Sequence, residues 1–316
     1  MTTALVTGIT GQDGTYLAEL LEAAGRRVVG IARSVSKRPF ETRADIALGD
    51  IADADFVARV VDKNAPSEIY HLAGQTSVGA SFADPEGTFR SVVHGTENVL
   101  AAARSARVRP KVLLASSGEV FGDLGADAAS ETTSFRPLSP YAAAKAAASE
   151  LATKYRATYG LHVCIAFFYN HESPLRPPEF VTKKIVRTAC RIARGLETRL
   201  ELGNTSVVRD WGWAPEYVEA ACRIVARAEP EDFVIATGKS VSLAYFVDNV
   251  FSSLGLEARE HVVENPALFR AAEIPAMRAD PRRAAERLGW RANIGVEEVA
   301  RRLVRAEQNA LASELG

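Results

Sequence analysis

The chain has 316 residues, 47% apolar and 24% charged, enough to bury the core of one large α/β domain or two modest ones and too apolar for a disordered chain. Its 38 Lys and Arg nearly balance 39 Asp and Glu. The resulting charge of −1 offers no basic field for nucleic acid or an anionic membrane, so an anionic ligand has to be held by local groups. No run approaches the roughly 18 uninterrupted apolar residues of a membrane span. The first strand-like run begins at Ala4, which leaves no room for a secretory leader. Cys164, Cys190 and Cys222 are widely separated and lack CxxC spacing. The expectation is a cytoplasmic protein with buried free thiols and no metal site.

In chain order, short β-branched runs alternate with segments of helical period. Residues 4–7, 28–32, 44–48, 68–71 and 111–115 read as strands, with helices over 16–24, 55–64 and 88–106. This alternation implies βαβ units and a Rossmann-type doubly wound, mostly parallel sheet. Ser139 and Pro140 mark an N-cap and first helical position, and Gly160 closes that helix. A strand over 162–168 follows. Beyond it come a helix over 181–195, a strand over 200–202, a helix over 215–227, a strand over 233–236, a helix over 242–253 and a helix start at Asp280-Pro281. Residues 1–170 thus read as a dinucleotide-binding domain, and 171–316 mainly as a smaller α/β substrate-binding region with segments able to return to the first sheet.

Gly8, Gly11 and Gly14 lie between the first strand and the first helix. In that position they allow a tight turn and bring a pyrophosphate close to helix N–H groups. The second strand ends without the Asp or Glu that would bind a ribose hydroxyl; Arg33 follows instead, with Ser34, Lys37 and Arg38. An Arg can pair with a 2′-phosphate that a carboxylate would repel, so the cofactor reading is NADP. Asp50 and Ile51, after the third strand, are placed at the adenine edge.

Tyr141 and Lys145 are four residues apart on the capped helix and share one face. An ammonium beside a phenol is expected to lower the phenol pKa toward neutrality, making it a base for a substrate hydroxyl while hydrogen leaves the same carbon for a nicotinamide. Ser117 and Glu119 follow the strand 111–115, at the end of the sheet where α/β proteins place chemistry. The Ser hydroxyl suits the reacting oxygen. A carboxylate there has no use in simple alcohol oxidation but suits removal of a proton beside a new ketone.

Together these residues resemble the extended short-chain dehydrogenase/reductases, and within them the GDP-mannose 4,6-dehydratase family. The resemblance is carried by TGITGQDGTYLAELL from Thr7, SPYAAAK from Ser139, FYNHESP from Phe168, FVTKKI from Phe180, LGNTSVVRDWGWAPEYVEA from Leu202 and FVIATG from Phe233. It implies that Ser117, Glu119, Tyr141 and Lys145 are catalytic. Glu119 would take the proton from carbon 5 and assist loss of water from carbon 6, giving a 4-keto-6-deoxy sugar with no net use of NADP. The resemblance also implies cofactor contacts for Thr10, Gln12, Asp13, Leu72, Ala73, Gln75, His171 and Arg176. Ser77, Asn170, Lys183, Arg209, Arg270 and Glu273 are the implied substrate contacts.

Several positions depart from the family pattern. Gly118 removes a side chain from a TSE-like triplet, Leu175 stands for an Arg, Trp213 for a His and Gly87 for a Tyr. Only about ten residues separate Arg33 from the third strand, where related dehydratases carry a longer loop that contacts a neighbouring subunit. The expected assembly is therefore a homodimer rather than a tetramer, and a variant GDP-sugar such as a heptose stays open. Two other readings remain at this point. One is a GDP-4-keto-6-deoxymannose reductase that consumes NADPH, suggested by HLAGQTSV from His71 and SSGEVFG from Ser116. The other is a non-catalytic NADP-binding protein on the same fold.

Overall fold

The structure, a computed structural model, describes residues 2–35, 42–269 and 272–315. Lys37, Arg38 and Arg270 lie outside them. The first half runs β1 (Thr3–Thr7), α1 (Gln12–Ala23), β2 (Arg27–Ala32), β3 (Asp45–Leu48), α2 (Ala54–Asn64), β4 (Glu68–His71), α3 (Val78–Ala83), α4 (Pro85–Phe89), α5 (Gly95–Ser105), β5 (Lys111–Ser117), α6 (Pro140–Tyr159) and β6 (Val163–Phe168). The second half adds β7 (Asn170–Glu172), α7 (Val181–Ala193), β8 (Leu200–Leu202), β9 (Val208–Trp213), α8 (Ala214–Ala226), β10 (Phe233–Ile235), β11 (Ser240–Ser242), α9 (Leu243–Ser252), β12 (Val262–Glu264), α10 (Arg282–Leu288) and α11 (Val296–Leu315).

Seven strands form one parallel sheet in the order β10-β6-β5-β4-β1-β2-β3, the doubly wound arrangement expected from the βα alternation. Its strands are nearly continuous apolar runs because helices cover both faces. On one face Val99, Leu100, Ala144 and Ala148 pack on Leu5, Ile69 and Leu114. On the other, Leu17 and Leu21 of α1 meet Tyr217, Ala221 and Ile224 of α8 over Val6 and Leu113. Each of these Val, Leu and Ile side chains contributes about 1.5–3 kcal/mol when fully buried.

Two segments beyond residue 170 therefore belong to the first sheet: β10 pairs with β6, and α8 covers the sheet beside α1. As the outer strand, β10 presents an unpaired backbone N–H at Val234, and the Glu131 carboxylate accepts it at 2.8 Å. Most of the remaining second-half elements build a separate core in which α7, α9 and α11 enclose Trp211, Phe246 and Phe251, while Ala284 of α10 joins the packing of the first sheet. A three-stranded sheet, β11-β9-β7, bridges the two parts.

The segment expected as one helix over 88–106 is interrupted by a π-helical turn, Arg90–His94. Here the Val92 carbonyl accepts the Thr96 hydroxyl at 2.6 Å, and Thr96 in turn accepts His71 Nε2–H at 3.2 Å. The other ring nitrogen, Nδ1, accepts the Thr7 hydroxyl at 2.8 Å, and Thr7 Oγ1 accepts the Ala73 N–H. Burial, and then the charge of Lys145, pushes His71 down to about 3, so it stays neutral and clamps the ends of β1 and β4 together.

The glycine turn is a close-packed junction. A Cβ on Gly14 would stand 2.6 Å from Ile9 Cα and closer still to the Gly8 carbonyl oxygen, both backbone atoms that cannot swing aside. Gly14→Ala is expected to cost about 1–3 kcal/mol through forced backbone movement. A urea-denaturation midpoint equal to that of the parent would contradict this.

Candidate active site

Strand order reverses between β1 and β4, so a crevice opens at their carboxyl ends, where open α/β sheets take their ligands. A cleft of about 370 Å³ occupies this position. One end holds Asp13, Leu72, Ser117, Glu119, Tyr141 and Lys145; the other holds Lys184, Arg209, Leu268 and Glu273.

The dinucleotide end begins with Gly8, whose φ of +73° is open to glycine at little cost. Its N–H donates to the Ile31 carbonyl at 2.9 Å, and a Cβ would stand 3.0 Å from the Ala73 backbone. Thr10 and Gly11 complete the turn, and Gly11 N-caps α1 with no side-chain acceptor for the first N–H groups. Those N–H groups and the bare glycine backbone fit a pyrophosphate. Arg33 is exposed immediately after β2. The Asp50 carboxylate accepts the Ala52 N–H at 2.9 Å, while Ile51 is buried and its carbonyl accepts Asn98 Nδ2 at 2.9 Å. Gln75 reaches the Ser77 carbonyl at 2.7 Å, and Ser77 lines the cleft as the N-cap of α3.

Gln12 and Asp13 make contacts across the cleft. Asp13 receives His171 Nε2–H at 2.9 and 3.0 Å, and His171 Nδ1–H donates to the Tyr169 carbonyl at 2.7 Å. Both ring nitrogens thus face groups that only accept, an arrangement satisfied by the imidazolium. Burial alone would raise Asp13, but His171 brings it below the usual carboxylate range. Burial likewise disfavours charge on His171, yet Asp13 lifts it above the ordinary histidine value. Tyr217 stacks on the ring with centroids 4.6 Å apart. Gln12 donates to the His171 carbonyl at 3.1 Å and accepts the Ser173 hydroxyl at 2.8 Å.

The helix α6 carries Tyr141 and Lys145. Ser139 accepts the Ala142 N–H at 3.1 Å, Pro140 starts the helix, and a run of alanines lets it approach β5 and β6 closely. Tyr141 lines the cleft beside Ser117. Its pKa is not lowered, contrary to expectation: burial pushes it up to about 12, with the Glu119 charge adding to the rise. Lys145 is instead occupied with the Ala115 carbonyl at 2.7 Å, and burial pushes it down to about 8.

Among the expected substrate contacts, Asn170, Arg209 and Glu273 line the cleft with Ser77, whereas Lys183 is turned away. Lys183 pairs with Glu307 of α11 at 2.7 Å. Its neighbour Lys184 lines the cleft; four residues after Phe180, it shares that residue's helical face, and this spacing was the available sequence signal. Arg176 lies over the Phe180 ring at 3.8 Å and 3.3 Å from Glu172. Trp211, Leu202 and Leu268 supply apolar wall at positions that no chemical motif marks.

A glycine turn feeding a doubly wound sheet, with Ser117, Tyr141 and Lys145 at its carboxyl edge, defines a nicotinamide-dependent protein of the extended short-chain dehydrogenase/reductase class. Among solved structures, the UDP-glucose 4-epimerase of Thermus thermophilus in complex with NAD superposes with a TM-score of 0.87 at 26% identity, over 98% of this chain and all of that one. RMD from Pseudomonas aeruginosa, complexed with NADPH, gives 0.84 at 25% identity over 98% of this chain and all of that one. The model of the GDP-mannose 4,6 dehydratase family matches residues 5–303. GDP-mannose 4,6 dehydratase 1 of Arabidopsis thaliana is 39% identical over 95% of this chain and 88% of its own length. The GDP-mannose 4,6-dehydratase of Yersinia enterocolitica is 37% identical over 98% and 96%. The chain belongs to the GDP-mannose 4,6-dehydratase family of hydro-lyases.

The Asp13–His171 pair has a definite pH signature. The raised His171 pKa contributes stability that is complete below the unfolded value of about 6.5 and lost as pH rises through the folded value. The depressed Asp13 contributes above its unfolded value of about 3.9 and is lost as pH falls through its folded one. The pair is therefore most stabilising between about pH 4 and 6.5. NMR titration of the His171 ring should give a pKa above the unperturbed value, dropping in Asp13→Asn; an unchanged titration in that variant would refute the pairing.

Proposed function

We propose that this protein removes water from GDP-mannose, or from a related GDP-sugar such as a heptose, to give the 4-keto-6-deoxy sugar, with NADP regenerated in each cycle. The observation that carries the reading is the convergence of Ser117, Glu119, Tyr141 and Lys145 on one cleft whose far end holds cations. An alcohol dehydrogenase has no task for the carboxylate, and a non-catalytic protein has none for the Tyr–Lys pair. The curated relatives cited above are named as dehydratases, which disfavours a reductase.

Residues 1–170, completed by α8 and β10, hold the dinucleotide in this reading, and the rest shapes the sugar-nucleotide site. When bound, the nicotinamide supplies the acceptor for hydrogen from carbon 4 and the donor that returns it to carbon 6. Tyr141, once ionised, takes the proton of the 4-hydroxyl. Ser117 donates to the same oxygen, and Lys145, held by the Ala115 carbonyl, is the cation on the same helical face. The ketone acidifies carbon 5, Glu119 removes that proton, and the oxygen on carbon 6 leaves with a proton as water. Arg209, Lys184 and the uncapped N-terminus of α7 suit the diphosphate, with Asn170 and Glu273 nearby. Arg176 and His171 border the dinucleotide.

Arg33, with no acid at the end of β2, supports NADP over NAD. The three cysteines are free thiols, and among the described residues no helix is long and apolar enough to cross a membrane; both agree with a cytoplasmic enzyme. The short connection after Arg33 favours a homodimer.

Incubation with GDP-mannose and catalytic NADP⁺ should yield the 4-keto-6-deoxy product without accumulation of NADPH in the parent enzyme. Tyr141→Phe should bind NADP but reduce none of it. Glu119→Gln should form bound NADPH on mixing yet release almost no product, and full turnover by that variant would remove Glu119 from the mechanism. Arg33→Asp should weaken NADP binding about tenfold or more, the equivalent of one charge-assisted contact, while leaving NAD binding unchanged or stronger. Equal losses for both dinucleotides would contradict the assignment of Arg33.

A further inference from the structure

Gly118 separates the two catalytic side chains Ser117 and Glu119 and opens the 3₁₀ turn Gly118–Phe121. Its missing side chain is filled by another residue. A Cβ built there would lie 2.7–2.9 Å from three atoms of the Tyr169 ring. The phenol ring therefore packs against the bare Gly118 backbone, and no side chain fits at 118 while the ring stays in place.

The ring has little freedom to yield. Tyr169 is 3% exposed; its N–H donates to the Ile235 carbonyl at 3.0 Å and its carbonyl accepts His171 Nδ1–H. At the far end the phenol donates to the Arg278 carbonyl at 3.0 Å, an oxygen that also accepts the Ala129 N–H at 2.9 Å. On its other side the 3₁₀ turn is held by Phe121, whose ring lies 5.1 Å from that of Phe167 and 5.9 Å from that of Phe135. Glu119 thus sits on a turn gripped between an aromatic cluster and the Tyr169 ring. The Arg278 anchor also belongs to the strap that carries Glu273 into the cleft and joins β9 beside Arg209 through Met277 N–H to the Val208 carbonyl, 2.9 Å.

We propose that Tyr169 is a positioning residue for Glu119: its ring takes the space of a side chain at 118 and its hydroxyl ties the proton-abstracting turn to the strap behind the sugar-nucleotide end. The inference rests on the dehydratase reading above and deepens it. Glu119 acts at carbon 5 after Tyr141 has acted at oxygen 4, so a displaced turn slows the second step and spares the first.

The test uses the full chain with NADP⁺ and GDP-mannose, following bound NADPH at 340 nm after mixing and product release at steady state. Gly118→Ala pushes against the ring, and Tyr169→Phe keeps the ring but cuts its anchor. Each is expected to form bound NADPH at close to the parental rate while turnover falls about tenfold or more, as small misplacements of catalytic groups do. KM should change little. If Gly118→Ala fails to fold, Tyr169→Phe still decides. Equal loss in both phases, or unchanged turnover in both single variants, would overturn the proposal. If the parent protein itself neither forms NADPH nor yields product, the dehydratase reading fails instead.

Discussion

The charged contact between Asp13 and His171 holds together two parts of the chain that are 158 residues apart. Asp13 lies in the first turn of α1, where the helix dipole favours an anion and where a dinucleotide pyrophosphate would also seek the free N–H groups. An unpaired carboxylate there would repel that ligand. The His171 imidazolium, set between Asp13, the Tyr169 carbonyl and the Tyr217 ring, neutralises it and at the same time fixes β7 against the glycine turn. One wall of the cleft is thereby placed relative to the other, and the bridging sheet β11-β9-β7 carries that placement on to Arg209.

Electrostatics then divide the cleft. At the Tyr141 end, burial and the Glu119 charge keep the phenol protonated at neutral pH, and burial brings Lys145 down to about 8. At the other end Arg209 and Lys184 supply cations beside the Glu273 carboxylate, within a chain of almost no net charge. The low overall charge leaves selectivity to these few groups rather than to a long-range field.

Comparison of sequence with structure shows which features a local pattern can carry. The strands over 68–71 and 200–202 and the helix from Pro140 to Gly160 were legible because β-branched runs, caps and helical spacing are properties of neighbouring residues. β7, β9 and β11 were not, since Asn170–Glu172 is polar, Val208–Trp213 interrupts its apolar residues with Arg209, Asp210 and Gly212, and these segments are strands only because they pair with one another. The Lys183–Glu307 pair follows the same rule: two adjacent lysines are equivalent in sequence until α11 packs beside α7 and takes one of them. Lowering of the Tyr141 pKa was inferred from a spacing of four residues, but the Ala115 carbonyl competes for the Lys145 ammonium and burial dominates the phenol.

By itself, then, the sequence determined the βα alternation, the glycine turn, the Tyr141–Lys145 face and the membership signalled by its long motifs, because each is set by residues within a few positions of one another. Tertiary structure alone decided that GQDG and NHES meet across the cleft, that β10 and α8 return to the first sheet, that Lys184 rather than Lys183 faces the cavity, and that the Tyr169 ring stands in for a side chain at Gly118. These are contacts between groups far apart along the chain, created when apolar surfaces close on one another, and no local period encodes which distant partner will occupy a given space.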